Sequence, residues 1–132
     1  AVWPTGHRSA VYQVCIDIPS EVYDVESRFW AQVMGASIEV LPARPEFSWL
    51  RGQRQFALDV LLQRLDETRG EVTAHLDLGT NDRSAEVARH VALGATQLVN
   101  EQFWATMRDP TGLVYCITGR DPATGRLVAA NK

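Results

Sequence analysis

Val72-Thr73-Ala74-His75-Leu76-Asp77-Leu78-Gly79 alternates as a half-buried strand does, with His75 and Asp77 on one face and Leu76 and Leu78 on the other. A loop through Asn81 follows, then a helix from about Arg83 to Leu93, with Asp82 as its N-cap and Gly94 as its stop. Thr96 to Val99, Phe103 to Arg108 and Leu113 to Thr118 read as three more strands. Asp109-Pro110-Thr111-Gly112 joins the last two as a turn, with Pro at the second position and Gly at the fourth.

The residues before this stretch repeat its order. Val11 to Ile18 alternates as a strand, with Gln13, Cys15 and Asp17 on one face and Val14, Ile16 and Ile18 on the other. Pro19-Ser20 breaks it, and Val22 to Met34 reads as a helix whose Val25, Phe29 and Val33 recur at four-residue spacing and which Gly35 ends. Ser37 to Leu41, Phe47 to Leu50 and Phe56 to Leu65 are strands, separated by turns at Pro42 to Pro45 and Gly52 to Arg54. Asp66 to Glu71 is the linker. Asp17-Ile18 leads through a helix to Met34-Gly35-Ala36-Ser37, as Asp77-Leu78 leads through a helix to Leu93-Gly94-Ala95-Thr96. The fold class is therefore α+β, two tandem βαβββ modules within one domain: about 10–66, about 71–119, and a tail over 120–132.

Composition narrows the function classes. The net charge is -3 over 132 residues and the basic residues are scattered, so neither a nucleic-acid footprint nor a polybasic membrane patch is present. No apolar run nears the roughly 20 residues that span a bilayer, and the opening residues lack a charged-then-apolar leader pattern; the cytoplasm is the expected location. Cys15 and Cys116 lie far apart inside apolar runs and read as reduced thiols. Ala1 to Ser9 is an extended lead, ordered only if Val2 and Trp3 dock on the body.

His75-Leu76-Asp77-Leu78, Leu93-Gly94-Ala95, Phe103-Trp104-Ala105-Thr106-Met107 and Asp109-Pro110-Thr111-Gly112-Leu113-Val114-Tyr115-Cys116 together resemble a glyoxalase-like domain of the vicinal oxygen chelate (glyoxalase/bleomycin resistance/dioxygenase) superfamily. Phe29-Trp30-Ala31-Gln32-Val33-Met34-Gly35-Ala36 is similar to its first-helix signature, and Leu61-Leu62-Gln63-Arg64 to the strand ending its first module. The resemblance covers about residues 11 to 119. It implies a mixed sheet curled around a cleft, commonly in a homodimer. It also implies, in metal-dependent members, one ligand from the first and last strand of each module, where the ion polarises substrate oxygens. Other members have lost the metal and bind small molecules, antibiotics among them.

Carried over by residue, His75 takes the His position that opens the second module and Gln13 the ligand position of the first strand. The last strand has Cys116 where metal-dependent glyoxalases have Glu, and the fourth position lies near Gln63 or Leu61, with Asp59 as the nearest carboxylate. Such a set offers a weak metal site, since a strong one wants an anionic oxygen or thiolate beside the imidazole.

Each residue also has a plainer reading. His75 is a strand histidine bonded to backbone or Asp77, or it lines a pocket. Cys116 is a small buried hydrophobe, with nothing nearby in sequence to activate its thiol. Gln13 and Gln63 satisfy each other or water, or orient a ligand. Trp49 and Trp104 pack in the core or stack on a flat ligand, while Trp30 packs on the sheet or an interface. Arg51, Arg54 and Arg64 flank strands that rim the cleft, and the charged run Arg83 to Arg89 is a solvated helix face.

The sequence thus points to small-molecule binding in a glyoxalase-like cleft lined by Gln13, Trp49, Gln63, His75, Trp104 and Cys116, with no residue assigned to catalysis and no cofactor expected. A divalent metal held by His75 and Gln13 would make the chain a metal-dependent lyase, isomerase or dioxygenase. A non-catalytic interaction domain is the third reading. The expected partners are a small-molecule ligand and a second copy of the chain, not nucleic acid and not membrane.

Overall fold

Both modules have the order strand, helix, three strands. In this computed structural model, which describes residues 1–52 and 58–128, β1 (Ser9–Pro19) leads through a 3-10 turn into α1 (Tyr23–Met34), then β2 (Ser37–Val40), β3 (Phe47–Arg51) and β4 (Asp59–Leu65). The second module is β5 (Thr73–Thr80), α2 (Arg83–Ala92), β6 (Thr96–Asn100), β7 (Trp104–Arg108) and β8 (Val114–Thr118). The turn expected through Arg54 and the strand start expected at Phe56 fall on 53–57, outside the described residues, as does the tail over 129–132. Two compact units result: Gln13–His75, and Ala1–Tyr12 with the residues from Leu76 onward.

The modules share one topology. In the first the strand order is β2-β3-β4-β1, with β1 parallel to β4 and the other pairs antiparallel. In the second it is β6-β7-β8-β5, with β5 parallel to β8 and the rest antiparallel.

In the unit Gln13–His75, one sheet face carries Ile18, Leu50 and Leu62, buried with Ala31 of α1 and flanked by Ile16, Tyr23, Trp30 and Val60. Full burial of each large aliphatic side chain is worth about 1.5–3 kcal/mol. The residues of α1 that turn inward are small: Ser27 and Ala31 are its buried positions, which lets the helix lie close to the sheet. Val25, Phe29 and Val33, the four-residue stripe of the sequence, are instead 66 %, 54 % and 59 % exposed. Trp30 packs against the core and donates its indole N–H to Glu26 Oε2 at 3.0 Å. Gly35 ends the helix at φ +61, a left-handed conformation open to glycine without strain.

In the other unit, Ala105, Met107, Tyr115 and Ile117 form the core, with Leu78, Val87 and Ala95 against it. Asp82 caps α2 by accepting from the Ala85 amide at 3.1 Å. The Asp109 carboxylate accepts from the amides of Thr111 (3.0 Å) and Leu113 (2.8 Å), fixing the tight turn before β8.

The charged run on α2 is not a solvated face. Glu86 is fully buried and Arg83 is 5 % exposed. The lead segment lies against this helix: His7 Nε2 meets Glu86 Oε1 at 2.7 Å, the Arg89 guanidinium sits 3.6 Å from the Trp3 ring centroid, and Trp3 Nε1 donates to Ser9 Oγ at 2.8 Å. Trp3 docks as its apolar ring requires, whereas Val2 stays 69 % exposed. Arg89 grips both oxygens of Glu86, at 2.9 and 2.8 Å, and His90 Nε2 bonds Glu86 Oε2 at 2.8 Å. Burial alone would push the Glu86 carboxyl up; the bonds from Arg89, Ser9, His7 and His90 outweigh it and hold the group below the usual carboxylate range.

Candidate functional site

With Ile16, Ile18, Leu50 and Leu62 turned toward α1, strand alternation gives the opposite face of the first sheet to Gln13, Cys15, Asp17, Leu61, Gln63, Phe47 and Trp49. Register aligns these into rows across the strands. Phe47 pairs with Gln63, and Gln63 with Asp17; one step along, Trp49 pairs with Leu61, and Leu61 with Cys15. A largely polar row thus lies beside an apolar, aromatic one.

Asp17 is the hinge of this face. Its Oδ2 is 2.6 Å from His75 Nδ1, and its Oδ1 accepts from the Cys15 thiol at 3.6 Å. The side chains of His75 and Asp17 are 17 % and 14 % exposed, so the pair is mostly shielded yet reachable. In the tautomer whose Nδ1–H donates to Asp17, Nε2 is left as an acceptor.

The structure brings Gln63 and His75 together on either side of Asp17. Gln13 is on the same face but four residues back along β1, its Cα about 13 Å from that of Asp17; it is buried, and its register partner on β4 is Asp59. Trp49 is half-buried, with the Arg51 guanidinium 4.8 Å from its ring centroid, and that guanidinium also reaches Glu39 at 3.7 Å. In the second module Cys116 pairs in register with Thr106 and Asp77, and Trp104 with Thr118, on the face turned away from Ala105, Met107 and Ile117. Both Cys116 and Trp104 are half-buried there.

Sequence reasoning placed Asp17 on the right strand face but gave it no role. The available signal was its parity with Gln13 and Cys15; the missing one was the 58-residue separation that the fold closes between Asp17 and His75.

These three side chains also meet a simple test for a cation. One donor atom each from Cys15, Asp17 and His75, a sulfur, a carboxylate oxygen and a ring nitrogen, lie within 4.8 Å of one another. The carboxylate that a strong divalent site wants is therefore present, from β1, and the mixed N, O and S set suits a borderline ion such as zinc.

A glyoxalase-like domain model matches residues 13–118, from the first strand of the polar face to the end of β8. The chain belongs to the glyoxalase-like domain family. Among solved structures, this glyoxalase-like chain is similar to a variant of methylmalonyl-CoA epimerase from Streptomyces coelicolor in complex with 2-nitronate-propionyl-CoA: 17% identity, 81% of this chain and 94% of that one, TM-score 0.51. It is also similar to a glyoxalase I variant from Zea mays, at 16% identity over 80% of this chain and 44% of that one, with a TM-score of 0.29. The epimerase likeness shows the fold. No curated protein matches the chain.

Proposed function

We propose that this glyoxalase-like domain binds a small organic molecule on the polar sheet face of its first module, with the His75–Asp17 pair against the ligand's oxygen-bearing end. The observation that carries the reading is the 2.6 Å contact between His75 Nδ1 and Asp17 Oδ2 beside Gln63. Asp17 orients the imidazole; Nε2 accepts a hydrogen bond from the ligand or takes up its proton. Gln63 offers an amide in the same row, and Trp49 and Leu61 offer apolar area for the ligand's body. Gln13, lower on β1, belongs to the proposed lining as well.

The same reading has the chain working as a homodimer in the cytoplasm. Among the described residues no helix is long and apolar enough to cross a membrane. A fragment screen by ligand-observed NMR tests the binding site: hits should weaken at least about tenfold in His75→Ala and Trp49→Ala. Hits that bind both variants as they bind the unaltered chain would overturn it.

A metal-dependent lyase, isomerase or dioxygenase is the second reading, favoured by the clustering of Cys15, Asp17 and His75. These three would hold the ion, which when bound supplies a Lewis acid toward the substrate's oxygens. Elemental analysis of the full chain decides between them. The first reading expects no stoichiometric divalent ion; near one per chain, lost in Asp17→Ala, supports the second.

A further inference from the structure

On the helix-bearing side of the second sheet, a groove of about 520 Å³ runs between α2 and β6. Its walls are mixed: Val87 and Val91 on α2 are apolar, and Ser84, Gln97 and Asn100 are polar. Arg83, at the start of α2, also lines it. This guanidinium is 95 % withdrawn from solvent, being 5 % exposed, yet among the described residues its acceptors are neutral: Nη2 donates to Asn100 Oδ1 at 3.1 Å and to the Glu101 carbonyl at 2.7 Å. Its Nη1 is buried with no hydrogen-bond partner among the described residues. Burial accordingly pushes the guanidinium below its ordinary range.

A buried cation without a counter-ion is costly, and charged groups that persist inside proteins are paired or serve a ligand. We propose that the groove binds a small organic carboxylate with an apolar tail, its two oxygens taking Nη1 and Nη2 of Arg83 in place of Asn100 Oδ1. The guanidinium fork matches a carboxylate in two parallel bonds, and an anionic oxygen outcompetes the neutral amide it displaces. Asn100 is exposed, so its displaced amide would find water. One cation calls for a monoanion; Asp82 and Glu101, adjoining the site in sequence, disfavour a dianion such as phosphate. The tail then lies along Val87 and Val91, and the volume is that of ordinary small-ligand sites.

Amide NMR titration of the full chain with octanoate, octanol and inorganic phosphate tests this. Octanoate should give saturable shifts within 83–100; octanol and phosphate at equal concentration should not. Asn100→Asp supplies an internal carboxylate at an exposed position and should weaken octanoate at least about tenfold, as should Val91→Asp, which puts charge in the tail's path. Asn100→Ala should bind as tightly as the unaltered chain or more so. The proposal is overturned by no saturable octanoate shift in that segment, by equal shifts with octanol or phosphate, or by Asn100→Asp binding octanoate undiminished.

Discussion

His75 Nδ1 on β5 and Asp17 Oδ2 on β1, 58 residues apart in the chain, lie 2.6 Å from each other. Asp17→Asn keeps the shape of this contact and removes its charge. A charge-assisted bond between two mostly shielded groups is worth about 1.5–3 kcal/mol, so the variant should lose stability on that scale in urea unfolding. The ring-nitrogen shifts of His75 should change with it. An unchanged midpoint and unchanged shifts would mean that the pair does not orient the imidazole.

The Glu86 network makes a separate prediction about acid. A carboxyl whose folded value lies below its unfolded value contributes stability that is fully present above the unfolded value, about 4.3 for glutamate, and is lost as pH falls toward the folded one. The unaltered chain should therefore lose stability steadily below about pH 5. Glu86→Gln should cost about 3 kcal/mol at pH 7, because it breaks a buried ionic cluster, and its stability should fall less steeply in acid. Urea midpoints between pH 3 and 7 for both proteins check the two statements together.

Phe29 and Leu62, both large apolar residues, should respond differently to truncation. Phe29 is 54 % exposed, and Phe29→Ser should move stability by no more than about 0.5 kcal/mol. Leu62 is fully buried, and Leu62→Ala should cost about 2–5 kcal/mol. Paired denaturation curves at one protein concentration decide it.

Gly79 is held by a close approach. A Cβ built there would stand 2.5 Å from the Arg120 carbonyl oxygen and 3.2 Å from the Tyr12 ring. Gly79→Ala should cost about 1–3 kcal/mol, the range for overpacking; thermal unfolding within a degree of the unaltered chain would contradict the contact.

These contrasts show which parts of the molecule the sequence carries. The paired modules were legible because their signals are local: alternation in β1 and β5, Asp82 before α2, Gly35 and Gly94 after each helix, and the Asp109 to Gly112 turn. His75 stood out for the same reason. Asp17 did not, because alternation fixes a face while register fixes a neighbour, and register between strands far apart in sequence is not a local property. The orientation of α1 misled for a related reason: its bulkiest stripe is regular, but the sheet is approached by Ser27 and Ala31, where small side chains permit close packing. Glu86 and Arg83 looked solvated because their partners, His7 in the lead segment and Asn100 on β6, become neighbours only on folding.

The central claim is that the first module's polar face receives a ligand. Side-chain NMR of the full chain bound to its best fragment hit tests it most directly. The account predicts that the His75 ring, the Gln63 side-chain amide and the Trp49 indole shift together and saturate with one affinity. Shifts that leave all three unmoved while the fragment binds elsewhere would contradict it.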